Sequence, residues 1–305
     1  MALAPSSAGE SPPPGTGATG AGRPLRKVSP ARQVLTLFGD YWWRNADPLP
    51  SAALVGAMGD LGMKEPAARA TLARLVRLDL LEQRRDGRRT THGLTSRGRA
   101  IIEDEAAWLE SFGVAPIVWD GSWSVVTFSI PESQRALRHT ARSRLKFLGF
   151  GPLYDGVWIS PSDVAALARE ELVALGVPDV TTMRAQLDVA GPGGPQRAWD
   201  LAGVLERYEV FRRELEASTA ALAGAGALAE RTGLMIQWQA FRGVDAGLPA
   251  ALLPSDWPRE EVRARFGRRF DELGPAAEER MSWHVSRVDE ALAGGVLQRR
   301  LARRS

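Results

Sequence analysis

Residues 65–91, EPAARATLARLVRLDLLEQRRDGRRTT, constrain the fold more than any other stretch. Wound at roughly 100° per residue, 65–78 form a helix with Ala68, Leu72, Leu75 and Val76 on about a third of its circumference. Arg69, Ala73, Arg77 and Arg74 take the opposite arc, with only small residues between them. Asp86-Gly87 follows, flanked by Arg84-Arg85 and Arg88-Arg89, and Asp-Gly between strands signals a two-residue hairpin turn. A slim cationic helix beside a basic β-wing is the arrangement with which a winged helix-turn-helix grips duplex DNA.

Charged helix faces commonly do no more than meet water, so the neighbouring sequence decides. Pro50-Ser51 predicts a helix start with Ser51 as N-cap, and Ala52, Ala53, Leu54, Val55, Ala57 and Met58 make that helix apolar. Leu61-Gly62-Met63-Lys64 supplies a turn, and Pro66 suits the first turn of the next helix. An earlier helix starts at Ser29-Pro30 and places Val34, Leu35, Phe38 and Trp42 on one stripe. Charge agrees: residues 23–100 hold 15 basic and 7 acidic side chains, the remainder 24 and 29, while the whole chain is only +3. One strongly basic module on a mildly acidic body implies a polyanionic partner for that module.

The body reads as α+β. After a helix capped by Thr95-Ser96, a strand over 124–130, a basic helix over 132–148, short strands in LYDGVWISP, a helix from Ser162-Asp163 to near Gly176 and a strand in VTTMRAQLDV follow in turn. The order β-α-β-β-α-β predicts a ferredoxin-like domain over roughly 119–190. From Ala198 the periodicity is helical, with a break expected at Gly224 and Gly226. The predicted organisation is a disordered tail over 1–24, a winged-helix DNA-binding domain with a linker helix over 25–112, a ferredoxin-like domain over 113–192 and a helical C-terminal domain over 193–305. The tail, rich in Pro, Gly, Ala and Ser, has no basic start before an apolar block, and no apolar run approaches a membrane span, so a cytoplasmic protein is expected.

Without cysteine, thiolate metal sites and cysteine nucleophiles are excluded, and His92, His139 and His284 lack ligand-like spacing. No Walker, dinucleotide-binding, zincin or nucleophile-elbow motif is present. Neither an enzyme nor a metal or cofactor is expected.

LFGDYWW at 37–43, ARATLARLVRLDLL at 68–81, GLTSRGR at 93–99, W-x-G-x-W at 119–123, LGFGPLYDGVWISP at 148–161, AWDL at 198–201 and LPAALLPSDWP at 248–258 occur in that order. Together they resemble the PaaX family of bacterial transcriptional repressors, named for control of phenylacetic acid degradation. The resemblance implies a dimeric repressor of a catabolic operon, released from double-stranded operator DNA by an aryl-acetyl coenzyme A thioester. One departure is visible: Gly93 stands where the family has a tyrosine before Leu94-Thr95. Coenzyme A calls for basic and aromatic partners. Arg138, Arg142, Arg144 and Lys146 qualify, an exposed helix face explains them equally, and the effector site stays unassigned.

The middle segment is also similar to the opening of the small CRISPR adaptation nucleases, metal-dependent enzymes of ferredoxin-like fold. Ser129 stands where those enzymes place a metal-binding aspartate, and a hydroxyl is a poor substitute for carboxylate at a magnesium site. A basic module that meets RNA or protein is the other alternative. The DNA-contacting residues expected are Arg69 and Arg74 at base edges, Thr71 and Arg77 beside them, and Arg84, Arg85, Arg88 and Arg89 at phosphates or the minor groove.

Overall fold

The computed structural model describes residues 29–189, 193–218 and 221–301; the tail predicted over 1–24 lies outside them. Helix α1 (Pro30–Tyr41) buries Val34, Leu37, Phe38 and Tyr41 completely. The two-residue strand β1 (Leu49–Pro50) leads into α2 (Ser51–Asp60), which ends at Gly62 with φ +82°. There the Met63 N–H donates to the Met58 carbonyl at 3.0 Å and the Gly62 N–H to Gly59 at 2.9 Å, a Schellman ending that turns the chain sharply into α3 (Glu65–Arg77). Strands β2 (Leu81–Asp86) and β3 (Arg89–Leu94) form a hairpin, and β1 completes an antiparallel sheet in the order β1-β3-β2. Helix α4 (Ser96–Ser111) follows, and the Thr95 hydroxyl accepts its cap hydrogen bond from the Gly98 N–H at 3.0 Å.

Two local expectations shift. The hairpin loop is Gly87-Arg88, closed by Asp86 opposite Arg89, because glycine takes the first loop position at φ +56°. Ser51 is the first helical residue rather than the cap; its hydroxyl is hydrogen-bonded at 2.9 Å to Nδ1 of buried His92 on β3. That bond fastens the hairpin to α2. Next to it, Gly93 lies against Glu82, whose Oε1 would sit 3.1 Å from an added Cβ.

The middle of the chain forms a second antiparallel sheet from β4 (Trp123–Ser129), β5 (Gly151–Tyr154), β6 (Val157–Ser160) and β7 (Asp179–Ala185), in the order β5-β6-β4-β7. Helices α5 (Arg135–Phe147) and α6 (Ala165–Ala174) join the strands. Val126 and Trp158 pack with Ala141, Leu145, Ala168 and Leu172 in one cluster; Trp123, Val125 and Ile159 pack with Ala198 and Leu252 in another. Apolar side chains on both faces explain why β4 reads as a continuous buried run.

Helices α7 (Leu201–Ala217), α8 (Gly224–Ala240), α9 (Arg259–Glu272), α10 (Gly274–Ser286) and α11 (Glu290–Ala293) complete the described chain. Gly224 opens α8 and Gly226 lies within it, so the break expected at these glycines falls before them. These helices share one core with α1–α4: Trp238 stacks on Phe266 and meets Trp108 of α4 and Phe112 at its end. No helix among the described residues is long and apolar enough to cross a membrane.

A polar clasp joins α2 to α10. Arg280 grips Asp60 with two hydrogen bonds, at 2.7 and 2.9 Å, and the Nε2 of His284 donates to the same carboxylate at 2.6 Å. Gly56 lets the ring in, since a Cβ there would lie 2.5 Å from Nδ1 of His284. Burial draws the His284 pKa below 6.5 against the opposing pull of Asp60. A depressed histidine stabilises the fold above its unfolded pKa and loses that contribution as the pH falls below about 6.5. The stability of wild type relative to His284→Gln is therefore expected to decline below pH 6.5, measured by thermal melts across pH 5–8. A difference independent of pH would contradict this.

Candidate nucleic-acid interface

Helix α3 turns Ala68, Leu72 and Leu75 into the core, which leaves Pro66, Ala67, Arg69, Ala70, Ala73, Arg74 and Arg77 exposed. Alanines between the arginines keep the outer face low, so the guanidinium groups stand above it on slender support. Arg69 is held at 2.7–2.9 Å by Glu65, one turn earlier, with both side chains about 60% exposed. Such a surface pair is screened and exchanges readily. Among the described residues nothing pairs with Arg74 or Arg77, and both lie in the last helical turn, where the carbonyl ends favour cations.

Thr71 does not belong to this face. It is 8% exposed and its hydroxyl donates to the Ala67 carbonyl at 2.7 Å, a bond back to the preceding turn. The expectation that it flanks the DNA-facing arginines is corrected on that ground.

The hairpin arginines do not form one patch. Arg84 and Arg89 share one face of the ribbon through the pairs Arg84↔Thr91 and Asp86↔Arg89, while Arg85 opposite Thr90 points to the other. Arg88 sits in the loop, exposed and without a partner among the described residues. Arg84 pairs with Glu82 at 2.8 Å, Arg85 reaches the Gly87 carbonyl at 3.4 Å, and Arg89 lies 3.7 Å from Asp289 beside α11. A ribbon with cations on both faces and at its tip suits insertion between two phosphate rows. Sequence reasoning passed over Lys64, exposed in the turn before α3, and Arg97, exposed on the first turn of α4 and 3.4 Å from the Leu78 carbonyl that ends α3. Their only signal was charge next to the motif.

Elsewhere, of the carboxylates near Ser129, Glu132 pairs with Arg135 and Arg138, and Asp155 with Arg142. Ser129 itself is exposed at the end of β4, paired with Asp179 of β7.

Three family models match successive segments of the chain. Residues 30–98 match the PaaX-like protein family, 116–198 the PaaX protein central Cas2-like domain, and 199–282 the PaaX-like protein C-terminal domain. The transcriptional repressor PaaX of Escherichia coli (strain K12) is 26% identical over 264 residues, 82% of each protein. The solved structure of an uncharacterized protein, Rv0674, from Mycobacterium tuberculosis resembles this chain with a TM-score of 0.52 at 23% identity, covering 82% of this chain and 96% of that one. That likeness bears on the fold alone. From residue 30 to residue 282, every matched segment carries the same family signature, and the chain belongs to the PaaX family.

Proposed function

We propose that this protein is a DNA-binding transcriptional repressor of a catabolic operon and acts in the cytoplasm. In this reading 25–112 is a winged helix-turn-helix with a linker helix, α3 its recognition helix and β2–β3 its wing. Residues 113–192 form a ferredoxin-like domain and 193–305 a helical one. The observation that carries the proposal is the exposed strip of α3, where Arg69, Arg74 and Arg77 rise from alanines behind a sharply turned α2. The relationship to a named transcriptional repressor supports it. The chain is a regulator and not an enzyme.

A homodimer would set two α3 helices into successive major grooves about 34 Å apart. Arginine pairs with both guanine acceptors, O6 and N7, which gives Arg69 and Arg74 base-reading roles. Arg77, Arg84, Arg85, Arg88 and Arg89 take the backbone. Release by an aryl-acetyl coenzyme A thioester completes the scheme.

A gel-shift titration at several salt concentrations, with promoter duplex against structured RNA, tests this. Wild type is expected to prefer the duplex, and Arg88→Ala to weaken all duplexes alike while lowering the log–log salt slope by about 0.9. Preference for RNA would favour an RNA-binding module instead, and an unchanged slope would remove the hairpin from the interface.

A further inference from the structure

Helix α2 buries Ala53, Leu54, Ala57 and Met58 and leaves Ala52, Val55 and Gly59, at helical spacing, as a low strip toward solvent. The strip starts where Ser51 bonds His92 of the hairpin and ends at the turn into α3. It therefore joins the two elements proposed to grip DNA. Helix α10 borders it on one side: the His284 ring packs on Gly56, and Arg280 and His284 hold Asp60.

At this border α10 carries Trp283, which is 40% exposed. Arg280 lies over its ring at 4.0 Å from the centroid, and Arg287, exposed at the C-terminal end of α10, at 4.9 Å. Asp60 neutralises Arg280. Among the described residues Arg287 has no ion pair and the Trp283 indole N–H has no acceptor. Acids flank the pair: Glu279 one turn earlier, and Asp289 and Glu290 beyond, with Asp289 turned onto Arg89 of the hairpin at 3.7 Å. We infer that Trp283 and Arg287 form a second contact to duplex DNA, gripping the phosphate backbone beside α2 from outside the winged-helix segment. The inference rests on the DNA-binding reading and extends it to the C-terminal region. One exposed ring gives too little apolar area for a stable protein interface. Two open donors suit phosphate oxygens, which set register on the duplex without reading sequence. Because Arg280 ties Trp283 to the last residue of α2, the contact fixes the angle at which α3 enters the groove.

Hydroxyl-radical footprinting and salt-dependent titrations of the full chain on its promoter duplex test this. Wild type is expected to protect backbone positions flanking the guanines that α3 shields. Trp283→Ala/Arg287→Ala is expected to lose those flanking positions while the guanine shielding stays at equal occupancy. Arg287→Ala alone is expected to weaken cognate and scrambled duplexes by the same factor and to lower the log–log salt slope by about 0.9. Arg287→Lys, which keeps the charge, is expected to keep the slope. Both side chains are exposed, and thermal melts check that each variant folds as wild type does. An unchanged footprint and slope in the double variant, with Arg74→Ala still impaired, would overturn the α10 contact and leave the DNA-binding reading standing. A loss in Arg287→Ala that Arg287→Lys does not restore would give Arg287 a structural role and overturn the contact. Failure of wild type to bind any duplex would overturn both.

Discussion

Replacing Arg74 by alanine is expected to weaken binding to the cognate duplex by about 1–3 kcal/mol, roughly 5- to 150-fold, and to flatten discrimination between sequences. Arg74 is exposed, unpaired among the described residues, and stands beside Ala70 and Ala73 on α3, where nothing else can assume its contact. Arg69 is expected to lose less, because in the free protein it already bonds Glu65 and must leave that partner to reach a base. For the same reason Glu65→Gln is expected to raise affinity: it frees Arg69 and removes an acid from the face that meets phosphate. Competition titrations with cognate and scrambled duplexes measure both. If Arg74→Ala kept full affinity and selectivity, α3 would not be the reading element.

Asp245→Ala is expected to cost about 3–5 kcal/mol of folding stability, the usual result of stranding one member of a buried ion pair. Both side chains are only 3% exposed. Arg259 donates two hydrogen bonds to Asp245 at 2.8 and 3.0 Å, and the Tyr208 hydroxyl donates a third at 2.7 Å. Burial, with Asp245 beside it, pushes the Tyr208 phenol far above its usual pKa, so it serves as a donor throughout the working pH range. Alanine leaves the Arg259 guanidinium without a counter-charge inside the protein. Asp245→Ala/Arg259→Met removes both charges and is expected to recover much of the loss, since an apolar pair carries no desolvation penalty. Chemical denaturation of the two variants decides it. A single variant within about 1 kcal/mol of wild type would show that the pair contributes no more than a surface bridge.

What was legible in the sequence was whatever depends on near neighbours. The alternation of leucine and arginine along 68–77 placed the α3 faces correctly because a helix enforces that spacing. Gly62, Thr95 and the hairpin glycine marked real turns, with the loop displaced by one residue because Gly87 supplies the positive φ. Thr71 misled because a threonine within a helix can bond its own preceding turn and withdraw from the surface. Pairings across the chain left no periodic trace: Asp60 with Arg280 and His284, Arg89 with Asp289, Arg242 with Asp104, and the single core shared by the first four helices and the last five.

Protection of guanine N7 from dimethyl sulfate reports directly whether arginines occupy the major groove. On its promoter duplex the protein is expected to shield N7 positions in two segments about one helical turn apart, and Arg74→Ala to lose that shielding at equal occupancy. Full occupancy of the duplex by wild type with every guanine N7 still reactive would contradict the central claim that α3 enters the groove.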